Sequence, residues 1–112
     1  MTATNAATDA ATAGEEALTH ADKALQKLQD LIAKMNGPLS PAQVKEVDDQ
    51  VAVVKKHADE ALKHAGQAAQ AAIAANTAED DDAADRARDT ASRAQETLKK
   101  AQNLAAQRKA LK

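Results

Sequence analysis

The residues of this chain that could bind a metal ion are its three histidines and the glutamates near them. The phrase EALTHA at residues 16–21 and the phrase EALKHA at residues 60–65 each place a glutamate four residues before a histidine. On a helix, residues four apart lie on the same face. Imidazole nitrogen together with carboxylate oxygen is a donor set that Cu²⁺, Ni²⁺ and Zn²⁺ accept.

The spacing of these residues predicts where they lie relative to one another on the helices. His57 and His64 lie two turns apart, about 10 Å along a helix axis, with Glu60 between them, and Glu16 lies one turn before His20. In an antiparallel helix pair that closes between residues 35 and 42, residues whose numbers sum to about 77 lie level. His20 and His57 meet this condition. We therefore predict a site for Cu²⁺, Ni²⁺ or Zn²⁺ formed by the three histidines, with both glutamates as assisting ligands.

The plainer alternative is that the three histidines are ordinary polar residues beside the buried helix faces. Exposed histidines also change charge near neutral pH, but nothing in the sequence singles out a pH-sensing role.

Composition excludes several other functions. The chain has no cysteine and no aromatic residue, and its 15 basic and 17 acidic side chains leave a formal net charge of −2. A thiol nucleophile, a base-stacking platform and a basic nucleic-acid surface are therefore all missing. Ser40 is committed to a helix cap and Ser92 lacks a neighbouring histidine in its helix. Glu60 and His64 are four residues apart, whereas a di-iron motif has a spacing of three. We predict that the protein is not an enzyme.

Two breaks divide the chain into three helices, predicted at about residues 5–35, 41–75 and 78–110 of a single domain. The first break, Asn36-Gly37-Pro38, ends a helix, and Ser40 with Gln43 forms a capping box that starts the next. The second break is at residues 76–77, before an acidic run at residues 79–82 that suits a helix N-terminus. Residues 1–13 are expected to fray because Gly14 weakens the first helix.

Short connections predict an antiparallel up-down-up three-helix bundle with an alanine-rich core. Alanine supplies 31 of the hydrophobic residues, and only 18 are Leu, Ile, Val or Met. In this topology the large side chains meet at one end, so we predict one firm end and one alanine-rich soft end. We also predict that the buried seam of the second helix slips near His57, because Val54, Ala58 and Leu62 are spaced by two successive steps of four.

The phrases EALTHA and KKHADEALKHA, within residues 16–26 and 53–69, resemble the bacterial small metal-binding protein family. The resemblance implies a periplasmic helical bundle that binds copper, nickel or zinc through surface histidines. This chain has fewer histidines than that family, and it has Asn-Gly-Pro and Asn-Thr breaks in place of histidine-glycine connections.

Two further alternatives involve no metal. The chain could be a structural or partner-binding helical module, including one that forms a homo-oligomer through its alanine-rich faces. It could also be a stress-type solvation protein, since the sequence of the third helix, rich in Thr, Ala, Asp, Arg and Lys, resembles late-embryogenesis-abundant proteins. No apolar run is long enough to cross a membrane, and no secretory signal peptide is visible after Met1.

Overall fold

Alanine favours the helix more than any other residue, and most of this chain is helical. The helices are α1 (Ala3–Ala33), α2 (Pro41–Ala75) and α3 (Ala78–Ala110). The computed structural model describes the backbone of residues 3–75 and 78–111 and the side chains of residues 6–74 and 82–111. All three helices pack against one another in an antiparallel bundle 55 Å long. The predicted all-α, up-down-up three-helix bundle is confirmed.

The connection between α1 and α2 follows the predicted end and start signals. The backbone N–H of Ser40 donates to Oε1 of Gln43 at 2.9 Å, and the N–H of Gln43 donates to Oγ of Ser40 at 3.2 Å. This reciprocal pair is a capping box. Helix α1 ends at Ala33, two residues earlier than expected, because its last turn tightens: the N–H of Met35 donates to the carbonyl of Ile32, three residues back. Gly37 then has a φ of 66°, which favours glycine.

The core changes in composition along the bundle, as the sequence predicts. At one end it contains the largest fully buried side chains, Leu28, Val47 and Val54, with further Leu, Ile, Val and Met residues packed around them. At the other end every residue of the buried cluster is alanine. The predicted difference in stability between the two ends stays a prediction.

The segment before Gly14 belongs to the alanine end. Helix α1 begins at Ala3, and Ala7 and Ala11 are buried against the other two helices. The fraying expected of residues 1–13 is a property of the chain in solution and stays a prediction; residues 1 and 2 lie outside the described part.

The predicted slip of the α2 seam is wrong. Buried residues continue from Val54 and Ala58 to Ala61, Ala65, Ala68 and Ala72, in regular alternating steps of three and four. The sequence pattern favours Leu62 over Ala61 because leucine is the larger apolar residue. In the bundle the small side chain of Ala61 lies inside the core, and the larger Leu62 is only half-buried at its edge.

Helix α3 buries two threonines among its alanines. Thr90 and Thr97 are 2% and 6% exposed, whereas their apolar neighbours Ala91 and Leu98 are half-buried. The hydroxyl of Thr97 donates to Oδ1 of Asp22 on α1 at 2.7 Å. A buried hydroxyl with a hydrogen-bond partner costs little, so this position accepts threonine.

An ion pair joins α1 and α3 on the alanine side of the bundle. Arg86 donates two hydrogen bonds to the carboxylate of Glu15. These hydrogen bonds, followed by the charge of the guanidinium, hold the pKa of Glu15 below its usual value, against the opposing effect of burial. The acidic residues 79–82 are predicted to begin α3, and of their side chains the structure describes that of Asp82.

No helix in the described part of the chain combines the length and the apolar character needed to cross a membrane.

Candidate functional site

Helices α1 and α2 bring two of the three histidines together. The ring centroids of His20 and His57 lie 5.4 Å apart, with the ring planes tilted by 35°. This closeness agrees with the expectation that His20 and His57 lie at the same height in an antiparallel helix pair. The rings stand at the edge of the α1–α2 contact, beside a core cluster that contains Ala21 and Ala58. His20 is exposed and His57 is half-buried.

His57 has one ring nitrogen facing into the protein. Its Nδ1 is buried and has no hydrogen-bond partner among the described atoms. The nearest carboxylate is that of Glu60, whose Oε2 lies 3.8 Å from Nδ1, too far for a hydrogen bond. Nδ1 thus faces the protein and the Glu60 carboxylate, which leaves Nε2 as the ring nitrogen for an external ligand.

His64 does not join this pair. Its Nδ1 lies 3.0 Å from Oε1 of Gln67, one turn further along α2. Glu16 is exposed on α1, and no hydrogen bond or ion pair between the described residues joins it to His20. Of the five predicted metal-site residues, the structure brings together His20, His57 and, next to His57, Glu60.

The two histidines form one side of an open cavity of about 320 Å³. Its polar lining comes from His20, Lys23 and Lys27 of α1 and from Gln50 and His57 of α2, and its apolar lining is Ala24 and Val53. The amide Nε2 of Gln50 donates to the backbone carbonyl of Ala24 at 2.9 Å. This hydrogen bond joins the two helices at the cavity.

The two lysines of this cavity are residues that our reading of the sequence missed. Their signal is present in the chain: His20, Lys23 and Lys27 are spaced by three and then four residues, so they share one helix face. A protonated lysine has no lone pair to offer a metal ion, so the metal-ligand pattern of histidines and glutamates leaves the lysines out. Gln50 could not be found in this way, because its role depends on the packing of α2 against α1.

The arrangement supplies two imidazoles and one nearby carboxylate. Within residues 6–74 and 82–111, no group of three or more histidine, aspartate or glutamate side chains is arranged to hold a metal ion. An ion between His20 and His57 would thus need water or another small molecule for its remaining positions. Such a site would be open, like the catalytic zinc sites of proteins and unlike their closed structural sites.

Fold and site together define a small three-helix bundle with a paired-histidine cavity. Comparison of the chain with protein-family models, with curated proteins and with solved structures found no match. The resemblance of residues 16–26 and 53–69 to the small metal-binding proteins accordingly stays a prediction.

Proposed function

We propose that this chain is a non-enzymatic helical-bundle protein that binds one divalent transition metal ion, Cu²⁺, Ni²⁺ or Zn²⁺, between His20 and His57. The observation that carries the proposal is the approach of these two imidazoles from different helices, 37 positions apart in the sequence. Copper is expected to bind most tightly of the three, as it does at most nitrogen sites.

The separation of the rings suits a shared ion. Metal–imidazole nitrogen distances are about 2.0–2.1 Å, and a tetrahedral ion that binds one nitrogen of each ring places the ring centres roughly 5 Å apart. The centres of His20 and His57 are 5.4 Å apart. The two ring centres thus lie at about the separation that a shared ion requires.

Glu60 supports the proposal from outside the coordination sphere. A histidine that binds metal through one nitrogen usually donates its other N–H to a carboxylate, which orients the ring and raises its basicity. The buried Nδ1 of His57, 3.8 Å from Oε2 of Glu60, suits this arrangement. The role proposed for Glu60 is thus to orient His57, while Glu16 and His64 lie apart from the ion.

The resemblance to the small metal-binding family adds a cellular location to the proposal. If the chain is a relative, it acts in the periplasm, where it would bind copper, nickel or zinc reversibly. An open site with two histidine ligands suits such reversible binding better than a structural role, because exchangeable positions remain on the ion.

Calorimetric titration at neutral pH tests the proposal. The wild-type protein should bind one ion per chain, and His20→Ala and His57→Ala should each abolish that binding. His64→Ala is the matched control, since it removes a histidine of the same helix and should leave the affinity unchanged. Absence of binding to the wild-type protein, or an equal loss in the control, would contradict the proposal.

A second candidate function, self-association, is favoured by an apolar groove between α2 and α3. Leu62, Gly66 and Ala69 line its α2 side, and Ile73, 79% exposed, continues the same strip. If a second copy packs its α2 antiparallel across this strip, Leu62 faces the partner's Ile73 and Gly66 faces the partner's Ala69. The strip is thus complementary to itself, as a two-fold interface requires.

Sedimentation velocity tests this second candidate. The wild-type chain should dimerise as its concentration rises, and Ile73→Glu should keep it monomeric. Leu111→Glu, a change at an apolar residue that is 60% exposed beyond the end of α3, is the control and should still dimerise. A wild-type protein that is monomeric at all concentrations would rule out this candidate.

A further inference from the structure

The lysine side of the histidine cavity is the feature that a two-histidine metal site does not explain. Lys23 and Lys27 line the same cavity as His20 and His57, and His20 and the two lysines occupy one face of α1. The cavity volume, about 320 Å³, equals roughly ten water molecules at their liquid volume. It therefore has room for a small ligand in addition to a metal ion.

The charges around the cavity are unfavourable for a bare divalent cation. Lys23 and Lys27 line it, whereas Glu60, 3.8 Å from Nδ1 of His57, is the carboxylate that the described residues place nearest to the histidine pair. In the part of the chain that the structure describes, neither Lys23 nor Lys27 forms an ion pair. An added metal ion would face the repulsion of both ammonium charges.

A small anion would remove this repulsion and complete the site. Two imidazoles leave coordination positions open on the ion. An oxyanion has several oxygens, so one can bind the metal ion while others accept hydrogen bonds from ammonium groups. The Gln50 amide, whose position is fixed by its bond to the Ala24 carbonyl, has a second N–H that can donate to the same ligand.

We propose that the cavity binds the metal ion together with a small tetrahedral oxyanion of the sulfate and phosphate class, held between the ion and Lys23 and Lys27. This inference rests on the proposed metal-binding function and names the second ligand of the same site. It makes metal affinity depend on the anion present, and it makes the two ligands bind cooperatively.

The change in affinity that one ligand causes for the other can be measured in both directions, and the two values must agree. Coupling between two ligands typically changes affinity by about 5- to 150-fold, and each ligand must change the affinity of the other by the same factor. Sulfate is the suitable probe because its salts with Cu²⁺, Ni²⁺ and Zn²⁺ are soluble. We expect Ni²⁺ to bind at least about fivefold more tightly in sodium sulfate than in sodium chloride at equal ionic strength.

The test combines calorimetry in both salts with two double variants. Lys23→Gln with Lys27→Gln should lose the sulfate effect and still bind Ni²⁺ in chloride, which also shows that the variant is folded. Lys99→Gln with Lys100→Gln removes the same charge from exposed positions of α3 and should keep the sulfate effect. Sulfate binding, titrated with and without Ni²⁺, should tighten by the factor measured for the metal.

The outcomes separate this inference from the function on which it rests. Equal Ni²⁺ affinity in the two salts overturns the oxyanion site and leaves the metal site standing. Loss of the sulfate effect in the α3 control also overturns it, since the effect would then reflect overall charge. Failure to bind Ni²⁺, Cu²⁺ or Zn²⁺ in either salt overturns the metal site and the oxyanion site together.

Discussion

Truncation of Leu28 is predicted to destabilise the bundle far more than truncation of any exposed apolar residue. Leu28 is 0% exposed and is one of the three largest fully buried side chains of the described core. Replacing a buried leucine by alanine costs about 2–5 kcal/mol. Because Val47, Val54 and the neighbouring apolar residues enclose the site, we expect Leu28→Ala to lower the free energy of unfolding by about 3 kcal/mol.

Thermal melting followed by circular dichroism measures this effect. An unfolding entropy of about 2.1 cal/mol/K per residue gives this chain a total of roughly 0.24 kcal/mol/K, so 3 kcal/mol lowers the Tm by about 12 °C. Leu111→Ala, at a side chain that is 60% exposed, is the control and should change the stability by less than about 0.5 kcal/mol. Equal shifts in the two variants, or a wild-type protein of low helicity with no cooperative melt, would refute the packed bundle and favour the solvation-type alternative.

Three further predictions concern the alanine end and its ion pair. Gly14→Ala should stabilise the protein by about 0.5–1 kcal/mol in urea unfolding, because glycine is a poor helix former. The added Cβ would meet its nearest neighbours at 3.4 Å, an ordinary contact. A loss of stability would show that the helices are packed too closely at this position. Hydrogen exchange should be faster at Ala7 and Ala11 than around Leu28, and uniform protection would contradict the soft end. The pKa of Glu15 is lowered in the folded state, so its pair with Arg86 stabilises the fold above the ordinary glutamate pKa of 4.5. This contribution is lost as the pH falls through the pKa of the folded state. Arg86→Gln should therefore make stability depend less on pH in the acid range, and an unchanged pH profile would contradict this.

Features encoded by adjacent residues could be predicted from the sequence. The capping box of Ser40 and Gln43 and the break at Gly37 locate the α1–α2 connection to within two residues. That connection then fixes which residues of α1 and α2 lie level, and so the pairing of His20 with His57 follows from numbering alone. Helical period and loop length are local properties, which is why they are readable without a structure.

Features that depend on contacts between distant residues could not be predicted. The choice of Ala61 over Leu62 for the interior depends on how closely the helices approach, and hydrophobicity alone points to the wrong residue. Burial of Thr97 depends on Asp22, 75 positions earlier in the chain. The hydrogen bond of His64 to Gln67 is local, but whether it prevails over the pairing with Glu60 depends on side-chain torsions that the sequence pattern leaves open.

The most direct test of the account is a titration of the protein with Zn²⁺, observed through the ring nitrogens of the three histidines in long-range ¹H–¹⁵N NMR spectra. Zinc is diamagnetic, so the signals stay observable throughout the titration. Binding between α1 and α2 predicts that the signals of His20 and His57 shift together and saturate at one ion per chain, while those of His64 stay in place. A shift of His64 ahead of the other two, or no shift of any histidine, would contradict a metal site at the His20–His57 pair.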